Sequence, residues 1–237
     1  MSEIKEEKTE SAWETTDSRF VGFIDIMGFK DMVARSTHEE IYQRMIKIDE
    51  RIKLNTTINW GKSASQDLVR TTTYSDSIMI YSKNNDFDSA DAFFSAISAL
   101  TNDLFLEGIP HKGSVSFGTM TIDNENSIYF GQPLIDAYLL QEEISFYGIV
   151  IHSTAEKSLV EHKKAGPLPF IREYVCPFKN GSAEHLTVTP MYAGDKSGKW
   201  KDRSENLDKS IKLLRLNTSG SLRKYIDNTE SYIKGLG

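Results

Sequence analysis

The sequence predicts an α/β (α+β) protein in which helices pack on a mixed β-sheet. Nearly continuous apolar runs, typical of buried strands, alternate with stretches in which apolar residues recur at helical spacing. The chain of 237 residues is 39% hydrophobic and 26% charged, which is enough apolar material for one substantial core. The order of segments is strand, helices, hairpin, helix, strand, helix, strand, and this order favours helices layered on one sheet.

The first strand is predicted after a charged leader. Residues 1–17 combine charge, Ser and Thr with almost no apolar periodicity, which predicts a disordered segment. Residues 19–27 (RFVGFIDIM) are then nearly continuously apolar, as in a strand buried on both faces. After Gly28 the pattern becomes helical, with a capping box at Thr37 and Glu40. One face of this helix is apolar at Ile41, Met45, Ile48 and Ile52.

A β-hairpin and a helix are predicted next. Residues 67–73 and 77–81 read as two strands joined by a tight turn that contains Asp76. Residues 88–106 are strongly helical, and residues 109–120 form the following strand. Asp76 therefore lies between two neighbouring strands of the predicted sheet.

The rest of the chain continues as a helix and a strand, and the last third of the sequence has a weaker pattern. Residues 130–143 open with Gly and Pro and continue as a helix, and residues 147–152 form a further strand. Proline and glycine turns then separate β-like pieces at 171–175 and 186–192. A final helix is predicted over 204–232.

Composition and charge exclude several classes of protein. No apolar run approaches the ~20 residues that cross a bilayer, and the charged N-terminus (MSEIKEEKTE) lacks the apolar region of a secretory signal. With one cysteine, Cys176, no internal disulfide can form, which fits a reducing cytoplasm. The 28 basic residues are outnumbered by 34 acidic ones, and the pI is near 5.5. We therefore expect a cytoplasmic protein without a membrane or nucleic-acid partner. A local site for a small phosphorylated ligand is compatible with the acidic net charge.

Asp25 interrupts the apolar first strand. An ionised carboxylate there is costly unless it is paired or binds a cation, although an Asp that caps the following helix is an alternative interpretation. The next residues, 26–30 (IMGFK), offer consecutive backbone N–H groups at a strand-to-helix turn. Such a turn can bind phosphate oxygens, and Gly28 allows close approach.

Asp76 is the second informative carboxylate. In a hairpin turn, Asp ordinarily accepts hydrogen bonds from the local backbone, and this interpretation stays open. If the strands next to Asp25 and Asp76 are antiparallel neighbours, both carboxylates lie at one edge of the sheet. Hard divalent cations prefer such oxygen ligands, so the sequence points to a metal site at this edge.

Four short segments, in the right order, resemble the class III nucleotide cyclases. Residues 23–30 (FIDIMGFK) are similar to the first metal-binding motif, and residues 74–77 (YSDS) are similar to the hairpin that carries the second metal-binding Asp. Residues 112–118 (KGSVSFG) and 130–142 (FGQPLIDAYLLQE) resemble a later strand and helix of the same domain. The resemblance covers residues 19 to about 160 and implies a mixed, mainly antiparallel sheet with helices packed on it.

The resemblance also implies a domain organisation and a site. The catalytic domain would span residues 18–160 after the leader 1–17, and residues 161–237 would complete it or pack on it. Two Mn²⁺ or Mg²⁺ ions would be held by Asp25, Asp76 and the Ile26 carbonyl. The nucleotide would contact residues of the first motif, namely Phe23, Ile26, Met27, Gly28, Phe29 and Lys30.

Within the superfamily, the motif sequences are most similar to those of the pyrimidine cyclases of bacterial Pycsar antiphage systems. Purine cyclases place a base-reading Lys or Glu four residues before the hairpin Asp, where this chain has Thr72. They also carry Asn and Arg on the later helix, where this chain has Ile135 and Leu139. The resemblance therefore implies a lyase that converts UTP to 3′,5′-cyclic UMP and pyrophosphate, with CTP to cyclic CMP as the alternative. It further implies a homodimer and a separate effector that reads the cyclic product.

Lys112 is the candidate catalytic cation. Because the helix lacks the usual Arg, another cation must stabilise the charge that develops on pyrophosphate, and Lys112 begins a strand that faces the predicted metal edge. A solvent-facing lysine at a strand start is the alternative. Lys30 is a second candidate for phosphate binding. An inactive cyclase-like module that binds nucleotide as a sensor is the competing hypothesis, whereas a diguanylate cyclase is disfavoured because no Gly-Gly-Asp/Glu-Glu/Asp-Phe hairpin is present.

Overall fold

In a computed structural model, the described residues are 13–57, 67–162, 166, 168–190, 201–216 and 218–236, without the side chains of 201–204. The helices and strands alternate along most of the chain. In chain order they are β1 (Thr16–Ile26), α1 (Phe29–Arg35), α2 (His38–Thr57), β2 (Val69–Tyr74), β3 (Ser77–Ser82), α3 (Phe87–Leu106), β4 (His111–Asp123), β5 (Ile128–Phe130), α4 (Gln132–Glu143), β6 (Ile149–Ile151), α5 (Ser153–His162), β7 (Ile171–Phe178), β8 (Gly181–Val188), α6 (Lys201–Leu216) and α7 (Leu222–Gly235).

The eight strands form one sheet in the order β2-β3-β1-β4-β6-β8-β7, and β5 pairs with β4. Among the described strands, β4 and β6 form the parallel pair, and the other pairs are antiparallel. The predicted mixed, mainly antiparallel sheet with packed helices is therefore confirmed. The strand β1, which carries Asp25, lies between β3 and β4 near the middle of the sheet.

Alternation along β1 separates the two faces of the sheet. Phe20, Ile24 and Ile26 are buried in the main core, together with residues of α2, α3 and α5. The opposite face, which includes Val21 and Asp25, is covered by α4 over β4 and β1. Asp25 therefore projects from the face that carries α4.

The capping box predicted before α2 is present. The Thr37 backbone N–H donates to Glu40 Oε2 at 2.8 Å, and the Glu40 N–H donates to Thr37 Oγ1 at 3.3 Å. Within α2, Ile48 and Ile52 are each 1% exposed, so the predicted apolar face is the buried one. These contacts are local in sequence, which explains why the pattern alone predicted them.

Three boundaries differ from the sequence prediction. The ordered chain begins before residue 18, because β1 starts at Thr16 and Trp13 packs edge-on against Tyr81 with 5.8 Å between ring centroids. Residues 1–12 of the predicted leader lie outside the described residues, as does the end of the 186–192 piece. The predicted helix over 204–232 is two helices, α6 and α7, separated by a turn in which Gly220 adopts a φ of 67°. The short elements β5 and α5 were not predicted.

None of the described helices combines the length and apolar character needed to cross a membrane.

His111 makes the stability of the fold sensitive to acid. Its side chain is fully buried, and burial lowers its pKa to about 4. Because the unfolded chain binds this proton more readily, stability falls as the pH drops from about 6.5 to about 4, by roughly 3 kcal/mol. We expect His111→Leu to remove this part of the acid destabilisation in urea unfolding curves, whereas the exposed His38→Leu should not. An unchanged pH dependence in His111→Leu would contradict the assignment.

Candidate active site

The structure brings Asp25 and Asp76 to the same end of the sheet. Asp25 is paired in register with Ser77, the first residue of β3, and Asp76 lies in the preceding turn. The Ile26 backbone N–H donates to the Asp76 carbonyl at 2.8 Å, which ties the end of β1 to that turn. Ser75 in the turn has a φ of 56°, a left-handed conformation that short polar residues tolerate in tight hairpins. The antiparallel arrangement that the sequence left open is thus present.

The two carboxylates interact electrostatically. Burial raises the pKa of Asp25, and the neighbouring Asp76 raises it further, while Lys112 and Lys30 act in the opposite direction. A pair of partly buried carboxylates is stabilised by a bound cation, which removes their repulsion. Among the described residues, no group of three or more His, Cys, Asp or Glu side chains is placed to hold a metal. A metal here would therefore need backbone carbonyl or substrate oxygens besides Asp25 and Asp76, and this donor set fits Mg²⁺ or Mn²⁺.

The turn after Asp25 offers fewer free N–H groups than the sequence suggested. The amide of Ile26 donates to Asp76, and the amide of Met27 donates to the Pro110 carbonyl at 2.8 Å. Neither is available to a phosphate, because each already has a backbone acceptor. The amides of Gly28, Phe29 and Lys30 lie at the start of α1, where backbone N–H groups have no helical acceptor.

Gly28 and Lys30 have the positions that a phosphate-binding turn requires. Gly28 has a φ of 78°, and no atom lies within 4 Å of the place where a Cβ would be, so one side of the turn is open. Lys30 is exposed on α1 and close enough to Asp25 to lower the pKa of that carboxyl group. The side chains of Ile26 and Met27 are used in packing, since Ile26 belongs to the main core and Met27 contacts the apolar cluster beneath α7.

Phe23 and Thr72 lie on the same face as Asp25, one step back along their strands. They belong to one row of the sheet, in which Thr72 pairs with Met79 and Met79 pairs with Phe23. The Phe23 ring is half-buried and packs edge-on against Tyr138 of α4, with 5.5 Å between centroids. Thr72 therefore occupies a position beside the carboxylates, but with a short neutral side chain.

Lys112 does not point into solvent, nor is its ammonium group free. It is 4% exposed, and its Nζ donates to the carbonyls of Gln141 at 2.9 Å, Glu142 at 3.4 Å and Ile144 at 3.4 Å. These carbonyls end α4, where a cation is favoured by the unpaired acceptors and the helix dipole. The expectation of a lysine directed at the triphosphate thus conflicts with these contacts, and the alternative of a solvent-facing lysine is wrong.

Lys112 is one of three β4 side chains that hold α4 against the sheet. Ser114 Oγ donates to the Ala137 carbonyl at 2.5 Å, and Ser116 Oγ donates to the Pro133 carbonyl. Alternate residues of β4 therefore bond successive turns of α4. The alternating polar residues are present in the sequence as Lys-Gly-Ser-Val-Ser. The α4 carbonyl groups that they bond are identified only in the folded chain.

The outer side of α4 is apolar and exposed. Ile135 is 52% exposed and Leu139 is 56% exposed, so the two positions that the sequence resemblance aligned with an Asn and an Arg are both apolar and both accessible. Tyr138 and Phe130 are exposed beside them. We call these four residues, Phe130, Ile135, Tyr138 and Leu139, the α4 patch.

A further pair of charges near the site was missed by sequence reasoning. Lys179 lies in the turn between β7 and β8, and its Nζ is 3.9 Å from Glu142 Oε2, with both side chains about half exposed. The proximity of Glu142 raises the pKa of Asp25, and the proximity of Lys179 lowers the pKa of Lys112. Asn-Gly is a common turn sequence, but nothing in the local sequence indicates that this turn reaches the end of α4.

Comparisons with known proteins give a match in structure only. No protein-family model and no curated protein matches the sequence. The guanylate cyclase domain of RhGC from Catenaria anguillulae, solved in complex with GTP, aligns with a TM-score of 0.50 and 14% identity. The guanylyl cyclase domain of the RhoGC fusion protein from Blastocladiella emersonii, described as a non-canonical dimer, aligns with a TM-score of 0.52 and 12% identity. The chain has the fold of a nucleotide cyclase domain.

This cyclase fold occupies most of the chain. The alignments cover 73% of this protein, but 97% and 94% of the two fungal domains. Nearly the whole of each fungal domain is therefore matched, and about a quarter of this chain lies outside each alignment. The site residues described above belong to β1, the β2–β3 turn, β4 and α4.

Proposed function

We propose that this protein is a pyrimidine nucleotide cyclase that converts UTP to 3′,5′-cyclic UMP and pyrophosphate, with CTP as the alternative substrate. The observation that carries the proposal is the pair of electrostatically coupled carboxylates, Asp25 and Asp76, at one end of the central strands of a cyclase fold. The similar domain from Catenaria anguillulae was solved with GTP, so this fold accommodates a nucleoside triphosphate.

The carboxylates account for metal binding. Asp25, Asp76 and the Ile26 carbonyl would hold Mn²⁺ or Mg²⁺, two ions per site, and these residues match the oxygen-only preference of both metals. A metal held by these residues would supply Lewis acidity, making the ribose 3′-hydroxyl a better nucleophile and neutralising phosphate charge. A metal held by Asp25 and Asp76 would lie close to the turn at the start of α1. The backbone amides of this turn, at Gly28, Phe29 and Lys30, are available to phosphate oxygens.

The cation for the leaving pyrophosphate is assigned to Lys179 rather than Lys112. Lys112 has three carbonyl partners and is buried, whereas Lys179 is half exposed and has one long ion pair. A half-exposed lysine can exchange a surface ion pair for a phosphate at little cost. Lys30 on α1 is the second available cation.

The preference for a pyrimidine rests on Thr72 and the family resemblance. The Thr72 hydroxyl is hydrogen-bonded to the Tyr81 side chain, but with one donor and two acceptor sites it can also bond a base, and it lacks the length of a Lys or Glu that would reach across a purine. Uracil and cytosine differ by a carbonyl oxygen in place of an amino group, and a hydroxyl can bond either. UTP is preferred to CTP as the proposed substrate only because of the resemblance to the Pycsar cyclases.

The proposal includes a homodimer. The α4 patch exposes four large apolar side chains on and beside the helix that covers β4 and β1. A second copy is the occupant that fits, because the patch is on the helix beside the site and the similar Blastocladiella emersonii domain is dimeric. In the same proposal, the protein acts in the cytoplasm and its cyclic product is a second messenger in antiphage defence, read by a separate effector.

The test is to incubate the purified protein with each of the four nucleoside triphosphates and Mn²⁺, and to resolve the products by mass. We expect cyclic UMP as the major product, followed by cyclic CMP. A purine cyclic nucleotide as the major product would overturn the pyrimidine assignment. Nucleotide binding without any cyclic product would favour the inactive sensor, for which the apolar Ile135 and Leu139 are the supporting observation.

A further inference from the structure

Asp25 and Lys112 are direct neighbours across strands but are not ion-paired. They face each other in the antiparallel register of β1 and β4, so their Cβ atoms are separated by roughly 5 Å. Opposite charges in such a position ordinarily attract and pair. Over the described part of the chain, however, no salt bridge joins the two side chains, and the Lys112 ammonium bonds the end of α4 instead.

Of the three carbonyls that hold Lys112, one lies in a segment that is hydrogen-bonded to α7. This is the Ile144 carbonyl, in the segment that follows α4. In this segment, the Tyr147 N–H donates to Thr229 Oγ1 at 2.8 Å, and the Ser145 carbonyl accepts from Asn228 Nδ2 at 2.8 Å. Thr229 is fully buried, so its loss would leave the Tyr147 amide without an acceptor in the core.

An aromatic pair completes this support. The ring of Tyr225, also on α7, is stacked on Tyr147 with 5.9 Å between centroids. The same ring is 6.0 Å from Lys112 Nζ, which is the outer limit of a cation–π contact. Three parts of the chain therefore meet at Lys112: the end of α4, the segment after it, and α7.

We propose that α7 and the carbonyl end of α4 sequester the Lys112 ammonium, so that Asp25 stays available to a divalent cation. This inference rests on the proposed metal site. A lysine released from these carbonyls would reach its cross-strand neighbour, and an ammonium paired with Asp25 would compete with the metal for the same oxygens. Thr229, Asn228 and Tyr225 are in this sense positioning residues, which act through Lys112 and do not touch substrate.

The experiment is a double-mutant cycle on Mn²⁺ affinity, measured by titration calorimetry without nucleotide on the full chain. Thr229→Val nearly keeps the volume of the side chain but removes the acceptor of the Tyr147 amide. We expect it to weaken Mn²⁺ binding about fivefold to tenfold, while Lys112→Met alone changes the affinity less than about threefold. In Thr229→Val/Lys112→Met, affinity should return to within about threefold of the unmodified protein.

The recovery in the double variant separates this role from simple loss of structure. Two destabilising changes would weaken binding further, whereas removal of the competing ammonium restores it. Asn228→Ala is a second variant with the same expectation, and Ser231→Ala, an exposed position on α7, is the matched control with unchanged affinity.

The outcomes distinguish the inference from the function on which it rests. If the unmodified protein binds Mn²⁺ no better than Asp25→Ala does, the proposed metal site fails. If it binds Mn²⁺ at Asp25, but Thr229→Val and Asn228→Ala bind equally well, α7 does not sequester Lys112. If they bind weakly and Lys112→Met does not restore the affinity, the inference is likewise overturned.

Discussion

Replacing Asp25 or Asp76 with asparagine is expected to reduce cyclic nucleotide formation by at least about 10³-fold, because each loses half of the charge that holds the metal. The melting temperature without metal should stay unchanged or rise. Asp25 is partly buried and its pKa is raised by burial and by Asp76, so the ionised pair destabilises the metal-free protein. Product analysis by mass and thermal melts with and without Mn²⁺ measure both effects.

The control for this prediction is an exposed carboxylate outside the site. Asp49 on α2 forms a surface ion pair with Lys53, and such pairs contribute little to stability. Asp49→Asn should keep full activity and the melting shift with Mn²⁺. Full activity in either Asp25→Asn or Asp76→Asn would refute the assignment of the site. If Mn²⁺ still shifts the melting temperature of both variants, the assignment of these two residues as metal ligands is refuted.

If the proposed dimer forms through the α4 patch, replacing Leu139 with aspartate is expected to convert it to monomer and to reduce activity at least about tenfold. In a two-fold symmetric interface the change occurs twice, and burying one leucine side chain is worth about 1.5–3 kcal/mol. The loss of two such contacts weakens association by roughly 10²- to 10⁴-fold, before the cost of burying two carboxylates is added. Light scattering after gel filtration measures the mass, and an activity assay at the same protein concentration measures the rate.

A matched leucine tests whether the effect belongs to the α4 patch. Leu216 at the end of α6 is 78% exposed, more than Leu139, but it lies outside the patch. Leu216→Asp should leave both mass and activity unchanged. A Leu139→Asp variant that is still dimeric would show that the second copy binds elsewhere, and a monomeric but fully active variant would show that the site is complete in one chain.

Several features of this protein follow from residues that are close together in sequence. The capping box at Thr37 and Glu40 and the tight turn at Asp76 depend on neighbours a few residues apart, and both were predicted. The apolar run around Asp25 likewise marked that carboxylate as costly without a partner. Local spacing determines which backbone N–H groups and which helix faces meet, so the pattern carries this information without knowledge of the fold.

Other features depend on groups that meet only after long-range packing. The carbonyls that bind Lys112 lie about thirty residues further along the chain, and the hydroxyl that accepts the Tyr147 amide lies more than eighty residues beyond that amide. Backbone carbonyls carry no residue-specific signal, so no pattern could show that Lys112 would bond them and not its neighbour Asp25. The break at Gly220 and the approach of Lys179 to Glu142 have the same origin. The position of the Lys112 ammonium group beside Asp25 is therefore set by tertiary packing, because a buried charge must bond whichever partner the fold places within reach.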